Sequence, residues 1–431
     1  MASELSSFQR VRNAARLTTV FVESTAAMGG VQFSTLYLLQ HLDSVVWDAV
    51  VVCPEEGDLS EACRRSGIAV QILRRPRVRS TSFRIGRNAA RLPNPIAWVW
   101  NLWATLVAVR RLARFLKQKK PDLVVTKGLF SHFYGGLAAH RLGIPCVWHV
   151  QDFISERSWK IYQRLFGQVA RWLPDHIIVD GACISRQLHR TQQNQISIIH
   201  NGVDTKHFRP DINGEGIRRE VGIPLDAMVI GHVGRMTPWK GQHYLLEAFA
   251  LIAAVIPNVY LLFVGAPVFD NDAYQRRLVN RTSQLGLSDL VKFAGYRHDI
   301  PFVLAAMDVF AFTSLEKDTS PLALLSAMSS GLPIVAFDIE GVRELMKADE
   351  QFLAVPLNRS DALAESLIRL LTDERLRRRL SASARQHAEA EYSLQQHVCR
   401  MEKVLLAASV TEPAVPEIPA VSRDPEFDIQ A

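Results

Sequence analysis

Met228-Val229-Ile230-Gly231-His232-Val233 runs straight into Gly234-Arg235-Met236-Thr237-Pro238-Trp239-Lys240-Gly241, and the stretch Gln242–Ile256 follows with helical periodicity. An apolar strand, a loop and an amphipathic helix in that order form half of a βαβ unit. They commit this region to a parallel sheet covered on both faces. The loop has glycine at each end, with Arg235 and Lys240 between them. A guanidinium and an ammonium at the exit of a strand and the start of a helix can clamp a diphosphate. Either cation alone would read as a surface charge beside a turn. No GxxxxGK[ST] loop is present, so triphosphate hydrolysis on a P-loop is not indicated.

The same alternation extends in both directions. Strand-like runs recur from Leu17–Val22 to Phe352–Val355, and helical patterns such as Val31–Leu42, Trp98–Lys119 and Asp373–Tyr392 separate them. The pattern breaks between Asp204 and Pro224, where Phe208-Arg209-Pro210 and Asn213-Gly214-Glu215-Gly216 interrupt it. The chain of 431 residues is long enough for two domains. The expected organisation is an α/β chain with two Rossmann-like, doubly wound parallel-sheet domains facing across a cleft. The first domain covers 1–204, with a helix at about 393–408 packing back on it. A linker covers 205–224 and the second domain 225–392. The tail 409–431, with four prolines and five acids, reads as disordered.

Composition narrows the function classes. The chain is 48% hydrophobic and 22% charged, the profile of a globular enzyme. Cys53, Cys63, Cys146, Cys183 and Cys399 are scattered, with no CxxC pair, so neither a disulfide framework nor a zinc site is expected, and a cytoplasmic setting fits. No run of eighteen apolar residues occurs, and the polar start reads as lacking a secretory signal. Between Ala62 and Pro121 there are fifteen Lys or Arg and no acid. With a total of +7, everything outside that stretch is net −8. Within it, Trp98, Trp100 and Trp103 precede Arg110, Arg111, Arg114 and Lys117. Tryptophans beside cations suit an anionic membrane surface, so the segment 64–120 is the candidate contact, peripheral to the inner face of a plasma membrane. A solvated helix face is the plainer alternative. Nucleic acid is not expected, because no binding module accompanies the charge.

Gly29-Gly30 follows the first strand and opens a helix, where bare backbone can approach a phosphate. Such a pair is also a common tight turn. In combination, however, the loops resemble a known family. Gly234–Gly241 is similar to the donor-phosphate loop of family-four glycosyltransferases, which have the GT-B fold. Further matches follow in order over roughly residues 15–408: Met28-Gly29-Gly30, Trp148–Asp152, Ile198–Asp204, Phe293–Ile300, Ala306–Ser314, Ala327–Ala336 and Glu340–Glu344.

The resemblance implies a retaining glycosyltransferase that moves a sugar from a sugar nucleotide to a glycan or lipid-linked acceptor, without an essential metal or other cofactor. It implies that Arg235 and Lys240 hold the donor diphosphate, with Gly29 and Gly30 near the same phosphates. His149 would touch the transferred sugar or the acceptor, and Tyr296 and Arg297 would flank the base. Asp318, Thr319, Ser320 and Ser326 would line the sugar-binding loop, whereas Asn201 and Gly202 would shape a turn. One departure stands out. The family's paired glutamates fall here on Asp318 and Ser326. Serine cannot accept a pair of hydrogen bonds from a ribose diol as a carboxylate does. Glu316 would compensate if the loop register shifted. This departure motivates one rival reading, a catalytically weak protein that binds a sugar nucleotide or glycan. A sugar-nucleotide epimerase is a second rival, which the Arg–Lys loop disfavours. A nicotinamide dehydrogenase is a poor third, since no GxGxxG follows the first strand.

Overall fold

The computed structural model describes residues 16–80, 82–84, 91–154, 161–188, 195–267, 272–315 and 318–410. The expectations for the N-terminal start, for Glu316 and for the tail beyond 410 lie outside these residues.

The first domain follows the βα alternation: β1 (Leu17–Glu23), α1 (Gly30–His41), β2 (Trp47–Cys53), α2 (Asp58–Arg65) and β3 (Ala69–Ile72). A short antiparallel hairpin, β4 (Ser82–Arg84) and β5 (Arg91–Pro93), leads to the long helix α3 (Pro95–Lys119). Then come β6 (Leu123–Lys127), α4 (Leu129–His140), β7 (Cys146–Val150), α5 (Ile161–Val169), β8 (His176–Val179), α6 (Ala182–Gln187) and β9 (Ile196–Ile198). The other seven strands form one parallel sheet in the order β3-β2-β1-β6-β7-β8-β9. Both faces are covered, so the central strands carry near-continuous apolar runs rather than an alternating pattern. The pleat still sorts side chains by parity. Val20 and Val22 join Val50, Val52 and Val124 on one side, while Phe21 joins Val51, Val125 and Val147 on the other.

The second domain repeats the plan. It begins with α7 (Glu215–Val221), a helix in the region expected to be linker. Gly222 ends it at φ +69°, and Arg218 ties it to its own domain through Asp308 (2.8 Å) and the Ala306 carbonyl (3.0 Å). There follow β10 (Met228–Val233), α8 (Gln242–Ala253), β11 (Val259–Val264), α9 (Ala273–Gln284), β12 (Val291–Phe293), α10 (Ile300–Ala305) and β13 (Val309–Phe312). The domain closes with α11 (Leu322–Ser329), β14 (Ile334–Phe337), α12 (Glu340–Leu345), β15 (Leu353–Val355), α13 (Ser360–Thr372) and α14 (Glu374–Glu391). Its sheet is parallel, in the order β12-β11-β10-β13-β14-β15.

A last helix, α15 (Leu394–Val410), returns to the first domain. Leu394, Val398, Met401 and Leu405 recur at helical spacing and are buried with Phe21, Val51 and Val147. The crossing is stitched by main-chain bonds between Val203 and both Tyr392 and Leu394, each 2.8 Å.

The strand orders locate the site. Each sheet reverses direction of progression once, between β1 and β6 and between β10 and β13. Open α/β sheets bind ligands at the C-terminal strand ends beside such a reversal. Gly29-Gly30 follows β1, and Gly234–Gly241 follows β10.

Candidate active site

The second-domain wall is built around the loop that leaves β10. Glycine is required here by close approach. A Cβ on Gly265, itself at φ +137°, would stand 2.0 Å from the Gly234 carbonyl, so the exits of β10 and β11 touch backbone to backbone. Gly241 sits at φ +71°, and its Cβ would lie 2.0 Å from the Thr313 carbonyl. Thr313 Oγ1 donates to the Lys240 carbonyl (2.9 Å), and Leu315 N donates to the Trp239 carbonyl (2.9 Å). The loop is thus bolted to the segment that leaves β13.

That bolting sets the charges. The Lys240 ammonium lies 4.4 Å over the Trp239 ring and pairs with the Asp318 carboxylate, which also accepts from Ser314 Oγ (2.6 Å). Both members of the pair are largely buried, with side chains 10% and 14% exposed. Arg235 is exposed, and its guanidinium sits 5.6 Å from the same indole. Across the cleft is Asp152. Confinement between the domains raises its carboxyl pKa, and Arg235 opposes that rise.

On the first-domain wall, α1 begins without a side-chain cap and without an acid in its first turn, which leaves its N-terminal amides free to face a negative group. A Cβ on Gly30 would meet nothing within 4 Å, so packing does not demand glycine there and the space in front of it is open.

Beneath this wall runs a buried polar floor that sequence reasoning missed. Glu23, Lys127 and Asp180 end or follow β1, β6 and β8, and all three are buried. Glu23 accepts from Thr35 (2.6 Å) and Gln32 (3.3 Å). Lys127 donates to Ser34 Oγ (3.2 Å), which accepts from Gln151 (3.1 Å); Gln151 in turn donates to Asn201 Oδ1 (3.2 Å). Burial raises the Glu23 carboxyl against the pull of Lys127, lowers Lys127 to about 8 and raises Asp180 to about 7. The signal was present in the sequence, since a charge closes each of the apolar strands LTTVFVE, LVVTK and HIIVD.

This floor grips the other domain. The Asn201 main-chain N–H donates to Ser320 Oγ (2.8 Å), and its side-chain amide donates to the Ser320 carbonyl (2.8 Å). Thr319 Oγ1 donates to Asp180 (3.0 Å). Nearby, Glu344 accepts from the main-chain N–H groups of Ala182 (2.7 Å) and Cys183 (3.2 Å). A Cβ on Gly341 would lie 1.8 Å from the Asp318 carbonyl, so α12 presses the same loop from behind.

Several sequence expectations are therefore revised in position. The Thr319 hydroxyl donates to Asp180 and the Ser320 hydroxyl accepts from Asn201, so both are tied to the first domain. Asn201 is a clasp between domains, and Gly202 is packed against His397 and Leu394. Arg297 is held on the rim by ion pairs. Its guanidinium is bound to Asp299 (2.8 and 2.7 Å) and Glu220 (2.5 and 3.0 Å), which raise its pKa. Tyr296 remains half exposed on the rim, edge-on to His298, and it shares a field with Tyr37 and Asp58 of the opposite domain. His149 is sealed at 1% exposure with both ring nitrogens unpartnered. Burial and the nearby Lys127 hold its pKa well below 6.5, which keeps the imidazole neutral. Further along the same exit, Gln151 and Asp152 reach the cleft. Ser326 is buried in α11 and supplies no carboxylate.

Two Rossmann-like domains with facing loops at their sheet reversals define a GT-B protein. The profile described as Glycosyl transferases group 1 matches residues 214–387, and that of Glycosyltransferase Family 4 matches 28–207. The Escherichia coli UDP-Gal:alpha-D-GlcNAc-diphosphoundecaprenol alpha-1,3-galactosyltransferase is 31% identical over 280 residues, covering 61% of this chain and 70% of that protein. A D-inositol 3-phosphate glycosyltransferase of Stackebrandtia nassauensis is 31% identical over 283 residues, 60% of this chain and 63% of its own length. Among solved structures, Anabaena HepE in complex with UDP-glucose superposes with a TM-score of 0.77 at 21% identity, covering 91% of this chain and 100% of that one. The chain belongs to the group 1 glycosyl transferases, glycosyltransferase family 4.

Proposed function

We propose that this protein transfers a sugar from a nucleotide-diphosphate donor, with retention of anomeric configuration, to a glycan or lipid-linked acceptor. The observation that carries the reading is the Arg235–Lys240 pair at the sheet reversal of the second domain, opposite the uncapped α1 terminus and open Gly30 of the first. The donor diphosphate lies between them. Arg235 and Lys240 stabilise the negative charge that develops on the departing nucleotide, the task a divalent cation performs in other transferases. Lys240 exchanges Asp318 for the diphosphate, and the released carboxylate accepts from a sugar hydroxyl. Tyr296 stands beside the base. The grip on Thr319 and Ser320 fixes how far the two walls stand apart, which sets the approach of the acceptor hydroxyl to the anomeric carbon. A relative named for a diphosphoundecaprenol acceptor supports a lipid-linked substrate.

The acceptor is met at a membrane surface. No described helix is long and apolar enough to cross a bilayer. The first half of α3, however, leaves Ile96, Trp98, Val99, Leu102, Trp103 and Leu106 exposed, and Arg110, Arg114 and Lys117 follow. That combination suits shallow insertion at an anionic interface.

The test is incubation of the purified protein with a panel of sugar nucleotides and lipid-linked acceptors, with product stereochemistry read by NMR. Transfer with retention supports the proposal, and inversion overturns the mechanism. Ser326 favours one second reading, a binding protein of weak activity. Binding of a sugar nucleotide without hydrolysis or transfer across the whole panel would establish that reading instead.

A further inference from the structure

A cavity of about 590 Å³ lies outside the cleft, at the edge of the first sheet. Gln71 and Arg74, at the exit of β3, form one side. Arg111, Arg114 and Phe115 of α3 form the other, and Glu56 lies at the mouth. β3 is separated from β1 by β2, so the cavity stands two strands, roughly 10 Å, from the sheet reversal that carries Gly29-Gly30.

Its charge is one-sided. Glu56 is the single acid on its wall, and Arg64 grips that carboxylate through both oxygens at 2.8 Å. None of Arg74, Arg111 and Arg114 has a carboxylate within 4.0 Å among the described residues. Arg111 donates one N–H to the Arg74 carbonyl, which fixes its head at the cavity. Three guanidinium groups converge on a concave space whose only acid is already neutralised. Guanidinium forks match the oxygens of a phosphate. The volume falls within the range of small-ligand pockets.

The neighbouring surface says which phosphate. Leu106, the last exposed apolar residue of the α3 stripe, lies eight positions before Arg114, roughly 12 Å along the helix axis. Ile96 and Arg114 are eighteen positions, or five whole turns, apart and so share one line of the helix. A molecule with an anionic head and an apolar body spans that distance. We infer that this cavity is a head-group site for an anionic phospholipid, with the phosphate held by Arg74, Arg111 and Arg114 while the Trp98–Leu106 surface meets the acyl region. The inference rests on the membrane reading above and adds a defined pocket to what would otherwise be a diffuse cationic field.

The experiment uses the full chain and phosphatidylcholine vesicles with or without phosphatidic acid. Three variants are compared: Arg74→Gln/Arg111→Gln/Arg114→Gln in the cavity, Arg141→Gln/Arg171→Gln/Lys403→Gln with the same charge removed from exposed positions outside both the cavity and the 64–120 segment, and Trp98→Ser/Trp103→Ser on the stripe. The cavity variant is expected to lose at least tenfold of the preference for phosphatidic acid, and the charge-matched variant less than threefold. Equal losses in the two arginine-lysine variants, or no loss in the cavity variant, would overturn the inference. Protection of Arg74, Arg111 and Arg114 from phenylglyoxal by pyrophosphate, without any change on vesicles, assigns the cavity to a soluble anion and also overturns it. Unchanged vesicle binding by the tryptophan variant strikes at the membrane reading itself, which separates the two failures.

Discussion

Replacing Asn201 by alanine isolates the clasp between the domains. The side chain donates 2.8 Å to the Ser320 carbonyl and accepts at 3.2 Å from Gln151, and Ser320 is 5% exposed. The main-chain bond from residue 201 to Ser320 Oγ survives the substitution, so the backbone path is kept. What remains is a buried carbonyl without its donor, a loss of about 1–3 kcal/mol. At RT of about 0.59 kcal/mol that is roughly a 5- to 150-fold fall in the population whose 318–320 loop is seated on the first domain. The assay is amide hydrogen exchange over residues 313–322, run beside kcat/KM for the donor. Exchange should quicken and kcat/KM should fall within that same range. Thr319→Val acts on the same loop, so the double variant should fall short of the sum of the singles. Unchanged protection together with kcat/KM within twofold of the parent would refute the clasp.

The remaining expectations concern charge, backbone and the last helix. Arg235→Ala and Lys240→Ala each remove charge-assisted bonds worth about 1.5–3 kcal/mol, so each should lower kcat/KM for a sugar nucleotide by roughly 10- to 150-fold. Asp180 moves from an ordinary 3.8 to about 7 on burial. A raised acid contributes stability that is full below pH 4 and is lost as pH rises through 7. The difference in melting temperature between the parent and Asp180→Asn should therefore change across pH 4–8, and a constant difference would contradict the assignment. Gly241→Ala forces a left-handed residue into the Thr313 carbonyl. It should cost at least about 2 kcal/mol in urea unfolding, and a loss under 0.5 would rule out the close approach. A chain ending at Tyr392 loses the buried Leu394, Val398, Met401 and Leu405, about 6–12 kcal/mol of apolar burial, comparable to the whole stability of a domain. Calorimetry should show the first domain no longer melting cooperatively.

What could be read from the sequence was what is local. Arg235 and Lys240 were placed because their strand, loop and helix are consecutive. The two Rossmann-like sheets followed from apolar runs too uniform to have a wet face. The short helix Glu215–Val221 escaped because Gly214 and Gly216 break its pattern, and its packing partner Asp308 lies far along the chain. The pairs β4–β5 are three residues each, below what alternation can signal. The pairing of Arg297 was not legible because its partner Glu220 stands 77 positions away. The bonds of Thr319 and Ser320 were not legible because Asp180 and Asn201 belong to the other domain. His149 was assigned by motif position, whereas its burial depends on α4 and on the far-removed α15, both of which pack on β7.

The returning helix α15 has a consequence for how the protein is made. The face of the first sheet that carries Phe21, Val51 and Val147 is closed by Leu394 and Met401, which leave the ribosome 190 residues after Asp204. At roughly 5–20 residues per second, about 10–40 s pass during synthesis in which that face is covered only by Leu36, Leu38 and Leu39 of α1 and Leu59 and Cys63 of α2 and lacks its last helix. The core of the second domain draws on Val203, Phe208 and residues up to Tyr392, all of which are made before α15. The half that is synthesised first is the half that finishes folding last, and the nascent chain must hold a partly covered apolar sheet in the meantime.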